Sequence, residues 1–460
     1  MLFTISAAIL GATGPHVFHR KQSNVDELND DPHVKYFEQI KDHYNVSDGT
    51  FLQRFYETNE TDNNWKPGNP IFLYISGESD SFDHGYRGYV QQLANEWDAK
   101  VLALEHRYFG ESYPEKYVSY TADLIKYLSV EQAMMDLAYF RVNYGTQIDP
   151  ENKSKWIIVG GSYSGMVSAL MRQNYSDLFV ASWSSSGVVE ALELFTECDT
   201  QGAIAMGPQC SQAARSTRIA IERIIEDDDA YEKLAELFLV PGMQKADFLA
   251  MLGDIFTVGL QYGNVRGLCD VLLDPIDRGT DPVYALSQYM RDYFSPKICG
   301  GNCTESYSTE FLKNPLIQNG GRIWTFLTCT QFGWWQVGTD RTSIRPPSVN
   351  KEYYQNQCHE IFDDPPIDDL NVSIFNERWG GLHQKTSHTY FVTSSQDPWT
   401  WACVTEDLLE ANNSVAHTIV GPEMGHCSDL HQYSLSNAPD LIRTQENIKK
   451  TLAKWLNEDE

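Results

Sequence analysis

The sequence predicts an α/β protein, a mostly parallel sheet with helices on both faces, interrupted by a mainly helical insertion. Three observations predict it. From about residue 70 to 190, short runs that are apolar on both faces alternate with helical stretches. A tight Gly-Gly-Ser turn joins one of these runs to the helix after it. The alternation stops near residue 196 and resumes near 385.

The elements follow in order. Ile71 to Ser76, closed by Gly77, reads as a buried strand, and Lys100 to Glu105 as a second. Tyr89 to Trp97 lies between them with helical character. Val130 to Val142 carries Val130, Ala133, Met134, Leu137 and Ala138 at helical spacing. Trp156 to Val159 is a third buried strand, followed by a helix from about Gly165 to Asn174, and Phe179 to Ser184 is a fourth strand. Residues 211–256 read as helical, with the acidic stretch 226–229 as a solvated helix end. Residues 260–380 are rich in Cys, Gly, Pro and aromatics and show no strand–helix rhythm. It returns with a strand at Thr389 to Thr393, a helix near 402–411, a strand at Val415 to Val420 and a last helix from Gln445 to Leu456. The expected organisation is an N-terminal segment 1–14, a first part of the sheet domain at 30–195, a helical cap at 196–384, and the rest of the sheet domain at 385–460.

Length and charge narrow the function classes. With 460 residues, 42% of them hydrophobic and 12% aromatic, the chain has ample material for a large core. The formal net charge of −28 repels phosphate backbones and anionic headgroups, so neither nucleic acid nor a membrane surface is an expected partner. The apolar run Met1 to Gly14 ends in small residues and resembles a signal peptide, although no Lys or Arg precedes it; a buried first strand is the alternative. Seven Asn-x-Ser/Thr sequons, at Asn45, Asn59, Asn152, Asn174, Asn302, Asn371 and Asn412, fit a glycosylated, secreted or lysosomal chain. All nine cysteines lie at or after Cys198 without zinc spacing, so disulfides are expected, with an odd thiol left over. No metal or cofactor is expected.

The chemistry concentrates at Val159-Gly160-Gly161-Ser162-Tyr163-Ser164-Gly165. In the α/β-hydrolase fold a nucleophile sits on such a strand-to-helix elbow, which needs small residues around it. Here Ser164 occupies the second small position, with Gly165 next. The elbow would lift the Ser162 hydroxyl above the sheet and turn the Tyr163 N–H toward a developing oxyanion. A phosphate-binding Gly-rich turn is the competing reading, but the absence of a following Lys excludes a P-loop. A serine needs a base held by an acid, in the chain order Ser, Asp or Glu, His. Asp397 follows the strand at 389–393, and His426 follows the strand at 415–420, 29 residues later. Both would stand at strand C-terminal ends, where catalytic groups converge.

These motifs together resemble the serine peptidase family of prolylcarboxypeptidase, dipeptidyl peptidase II and the thymus-specific serine protease. The resemblance runs through Phe37 to Asn45, Thr50 to Tyr56, Pro70 to Ser79, Glu105 to Ser112, Leu128 to Ala133, the Gly-Gly-Ser-Tyr elbow, Asp397-Pro398-Trp399 and His426. It is strong over 35–190 and 385–435 and thin over 196–325. It implies an α/β hydrolase with an inserted helical cap that cleaves peptides after proline, often at acidic pH, with a homodimer as an expected assembly. It maps Ser162 to the nucleophile, Asp397 to the acid, His426 to the base and Trp399 to a wall of the proline pocket. It implies a second oxyanion donor at the Gly77-Glu78 turn, and a disulfide between Cys329 and Cys358. Glu105, His106 and Arg107 read as a structural cluster. The chain departs from the family at Thr393-Ser394-Ser395-Gln396, at Trp401, and at Cys427, where one branch has a second His. The same triad would also serve a lipase or carboxylesterase, and a hydrolase-like binding protein is the non-enzymatic alternative.

Overall fold

The computed structural model describes residues 32–58, 64–78, 85–115, 121, 125–362, 370–409 and 413–458. The leader expected at 1–14 and the sequons at Asn59 and Asn412 lie outside these residues. An eight-stranded sheet runs in the order β1-β2-β4-β3-β5-β6-β9-β10. Its strands are β1 (Val34–Ile40), β2 (Thr50–Glu57), β3 (Ile71–Ile75), β4 (Lys100–Leu104), β5 (Trp156–Gly161), β6 (Ala181–Ser185), β9 (Thr389–Ser394) and β10 (Val415–Ile419). The pairs β1–β2 and β2–β4 are antiparallel, and every other pair is parallel.

The runs read as doubly apolar are buried on both faces, as side-chain alternation requires. Ile71, Leu73, Ile75, Trp156 and Ile158 join one apolar cluster, while Phe72, Tyr74, Ile157 and Val159 join a second on the opposite face. The second is covered by α1 (Tyr89–Glu96) and the C-terminal helix Pro439–Leu456. The first is covered by α2 (Val130–Ile148) and α3 (Tyr163–Asn174) and continues without a break into the cap. α2 starts on Ser129, whose side chain caps the Gln132 N–H, and runs past the expected Val142.

Between β6 and β9 the chain is helical. α4 (Glu197–Ile224) is broken at Gly207, where φ is 74°, ahead of Pro208. α5 (Asp228–Leu237) begins on the Asp227 cap, so the acidic stretch is a helix start. α6 (Lys245–Gln261), α7 (Val265–Arg278), α8 (Pro282–Tyr289), α9 (Gly320–Leu327), α10 (Lys351–Ile361) and α11 (Val372–Trp379) follow, with a two-stranded parallel ribbon, β7 (Leu192–Phe195) and β8 (Gly333–Gln336), at the base. The texture of 260–380 is therefore helical, in pieces mostly too short to show a period. Disulfides join Cys210 to Cys269, Cys299 to Cys303 and Cys329 to Cys358, leaving Cys198, Cys403 and Cys427 as buried thiols.

One expected element is absent. Instead of a helix near 402–411, the chain makes a 3-10 turn at Thr400–Ala402 and then runs through turns up to Leu409. Competing partners take its polar groups. The Ala402 carbonyl accepts the Val189 and Glu190 N–H groups at 2.9 and 3.2 Å, and Glu406 accepts the Thr418 N–H and hydroxyl at 2.7 and 2.8 Å.

The Glu105 to Ser112 stretch is a buried polar knot. Glu105 pairs with Arg54 and accepts from the Ser112 hydroxyl at 2.7 Å. Arg107 Nε donates to Asp136 at 2.7 Å, and His43 meets the same carboxylate at 2.8 Å. Gly110, with φ of +55°, allows this, because a Cβ there would lie 2.0 Å from Glu105 Oε1.

Candidate active site

Ser162 stands between β5 and α3 with φ 62° and ψ −126°, a backbone that a non-glycine residue holds only where its surroundings enforce it. The enforcement is visible. The Ser162 N–H donates to the Ser185 carbonyl on β6 at 2.8 Å. A Cβ on Gly160 would lie 2.1 Å from the Ser164 carbonyl oxygen, and one on Gly165 would lie 2.7 Å from the Ser185 carbonyl oxygen. The close approaches are thus made at Gly160 and Gly165, which accounts for a serine being tolerated at position 164. The Ser162 hydroxyl is fully buried and makes no hydrogen bond.

Asp397 and His426 lie just beyond the C-terminal ends of β9 and β10, and β9 borders the strand that holds the elbow's N–H. His426 Nδ1 meets Asp397 Oδ2 at 2.6 Å, with both residues buried. Asp397 also accepts the Trp399 N–H at 3.0 Å through its other oxygen. Burial alone would lower the His426 pKa, but the facing Asp397 carboxylate overrides it, and the imidazole is held well above its usual value. The Asp397 contact fixes the ring's orientation through Nδ1.

The His426 loop is tied to β6 as well. The Cys427 N–H donates to the Ser186 hydroxyl at 3.0 Å, and Asp429 accepts from the Ser185 hydroxyl at 2.5 Å and the Trp183 indole at 2.6 Å. Burial pushes the Asp429 carboxyl up to about 6, against the hydrogen bonds that hold it down. Ser185 therefore touches both the elbow and the His loop. Its role had no signal in the sequence, because a Ser-rich strand end carries no motif.

Tyr163 opens α3, where the first N–H groups have no partner within the helix. Its hydroxyl meets His106 Nε2 at 2.9 Å, which gives the middle residue of the Glu105–Arg107 cluster a contact beside the elbow. Glu78 is buried three residues past the end of β3, close enough to Tyr163 for its charge to raise the phenol's pKa after burial has done so. Trp399 is buried, with Phe195 and Trp334 packed on it at ring separations of 5.2 and 5.9 Å. From Trp334 the aromatic contacts continue through Phe332 and Trp324 to Tyr163, at 3.9, 5.4 and 5.7 Å. The cap thus supplies one wall beside the elbow. These cap residues were missed in the sequence, where only the aromatic density of 324–335 marked them. Trp401 points elsewhere: it is half exposed, and its indole donates to Gln201 at 3.0 Å.

Among the described residues, no group of three or more His, Cys, Asp or Glu is placed to hold a metal ion, and no helix is long and apolar enough to cross a membrane. Asn45, Asn152, Asn174, Asn302 and Asn371 are exposed.

A serine on a strained elbow, a helical cap inserted into a mostly parallel sheet, and a buried acid–imidazole pair beyond the strand ends define the α/β-hydrolase class. The chain belongs to the Serine carboxypeptidase S28 family, whose profile matches residues 39–448. It is 31% identical over 449 residues to "Probable serine protease EDA2" of Arabidopsis thaliana, covering 92% of this chain and 88% of that protein. It is 26% identical over 461 residues to the "Thymus-specific serine protease" of Mus musculus, covering 93% of this chain and 88% of the relative. It is likewise 26% identical over 458 residues to the "Lysosomal Pro-X carboxypeptidase" of Bos taurus, covering 92% and 88%. The protein is a serine peptidase, and its substrate is a peptide.

Proposed function

We propose that this peptidase is an exopeptidase that cleaves after proline, with Ser162 as nucleophile, His426 as general base and Asp397 as the acid that orients it. The observation that carries the reading is the buried 2.6 Å Asp397–His426 bond beside the left-handed Ser162 elbow. In this mechanism the Ser162 oxygen attacks the scissile carbonyl as its proton passes to His426 Nε2. The carbonyl oxygen, now negative, is stabilised by N–H groups, of which Tyr163 is one and the Gly77-Glu78 turn the other. The tetrahedral intermediate collapses as His426 returns the proton to the leaving amine, which breaks the C–N bond and leaves an ester on Ser162. Water, deprotonated by the same imidazole, then releases the acid product and restores the serine.

Proline is favoured by the buried Trp399 indole, framed by Phe195 and Trp334. A flat apolar face suits a pyrrolidine ring and gives charged side chains no partner. The printed name of the Bos taurus relative points the same way. Three disulfides, exposed sequons and the lysosomal relative support a secreted or lysosomal location.

The test is a substrate panel assayed at pH 5 and 7.5 with a Ser162→Ala control: a dipeptide-Pro reporter, a peptide ending in Pro-Phe, a blocked peptide with internal Pro, and an acyl ester. Release of a dipeptide or of Phe, absent in the control, supports the reading. Cleavage of only the blocked peptide or only the ester overturns it.

A further inference from the structure

Two glutamines of the cap reach the loops that carry Asp397 and His426. Gln201, on α4, donates to the Ser395 carbonyl at 2.6 Å and accepts the Trp401 indole N–H at 3.0 Å. Gln261, the last residue of α6, is 2% exposed and, besides donating to the Tyr262 hydroxyl at 3.3 Å, reaches the catalytic loops through two different groups. Its main-chain carbonyl accepts the His426 N–H at 2.6 Å, and its Oε1 accepts the Trp399 indole N–H at 3.1 Å. The fit around it leaves no slack. A Cβ on Gly425 would lie 2.3 Å from the Gln261 carbonyl oxygen, and one on Gly263 would lie 2.5 Å from the Glu423 carbonyl oxygen. One cap residue therefore holds both the backbone of the His loop and the indole at the cleft wall.

We propose that Gln261 is a positioning residue that sets substrate selectivity by fixing the Trp399 indole. This rests on the reading above that Trp399 lines the pocket beside the Ser162, Asp397 and His426 machinery. The ring contacts from Phe195 and Trp334 confine the indole but offer its N–H no acceptor. Gln261 supplies it. Without it a buried N–H has no acceptor, and the ring is driven to turn toward another. The main-chain bond to His426 makes the same residue the point where the cap is registered to the catalytic loop.

The experiment uses Gln261→Met, which keeps the volume and removes the acceptor, and Gln261→Glu assayed at pH 5, where a buried carboxyl keeps its proton and its C=O acceptor. Trp399→Phe removes the donor. The readout is the kcat/KM ratio between the residue the unaltered enzyme prefers before the scissile bond, whichever it is, and Ala at that position. Active sites are counted with a small fluorophosphonate. Gln261→Met is expected to lower the ratio about tenfold, mainly through KM, while labelling stays complete. Gln261→Glu should keep the ratio, and Gln261→Met should add nothing in a Trp399→Phe background. An unchanged ratio in Gln261→Met, or effects that multiply independently of Trp399→Phe, overturns the proposal. If Gln261→Met does not fold, Gln261→Glu decides: a kept ratio supports the proposal and a lost ratio overturns it. A failure of the underlying triad reading shows separately, as fluorophosphonate labelling that survives Ser162→Ala.

Discussion

At the scale of single residues, the reading depends on one hydroxyl and one imidazole. Ser162→Ala is expected to reduce turnover by about 10,000-fold or more and abolish fluorophosphonate labelling, with the melting temperature unchanged. The hydroxyl makes no hydrogen bond whose loss would be felt in folding. Asp397→Asn should cost on the order of 10,000-fold in kcat, since it removes the charge facing the ring and favours the wrong tautomer. The direction of the His426 shift adds a pH prediction. Only the neutral imidazole takes the serine proton, and Asp397 holds the pKa well above its ordinary value after opposing burial. The acid limb of a kcat/KM profile should therefore lie above the ordinary His range near 6.5. That runs against the acidic optimum implied by family resemblance, and a profile with its acid limb below pH 6 would show that substrate-free electrostatics do not govern the reaction. These residues were legible in the sequence because the elbow is a contiguous motif and the other two follow strands in a fixed order.

At the scale of elements, the elbow and the His loop are both anchored to the end of β6. Gly160→Ala is expected to destabilise the fold by more than ~3 kcal/mol, because the new methyl meets backbone that cannot move aside; a urea midpoint close to that of the unaltered protein would contradict this. Asp429 makes the anchor pH-sensitive. Burial raises its carboxyl from 3.8 to about 6, so the folded state binds this proton more tightly than the unfolded chain. The resulting stabilisation is complete below about pH 4 and is lost as pH rises through about 6, up to ~3 kcal/mol in all. Asp429→Asn should flatten that part of the stability curve, which urea unfolding at pH 4 and pH 7 would reveal. Neither anchor was visible in the sequence, since Ser185, Trp183 and Asp429 meet only through tertiary packing. The false helix at 402–411 failed for the same reason. Ala402, Leu408 and Leu409 have plausible spacing, but Val189, Glu190 and Thr418 claim the polar groups of that segment.

At the scale of the whole molecule, the sheet and the presence of a helical insertion were legible, and most of the insertion's individual helices were not. Strands such as Ile71–Ile75 are marked by uniform burial of β-branched and aromatic residues. Helices such as Gly320–Leu327 span two turns, too few for a period to emerge. All three disulfides lie in the cap, and the three thiols are buried. A thiol reagent should find no rapidly reacting cysteine in the folded protein and three after unfolding without reductant; four or more would mean a bridge is open. The burial of Ser162, His426 and Trp399 beneath the cap carries a further meaning. Ser162 is fully buried, so a substrate reaches it only when the side chains that cover it part. Size then becomes a criterion alongside chemistry, and a slender peptide end suits such access better than the rigid loop of a folded protein.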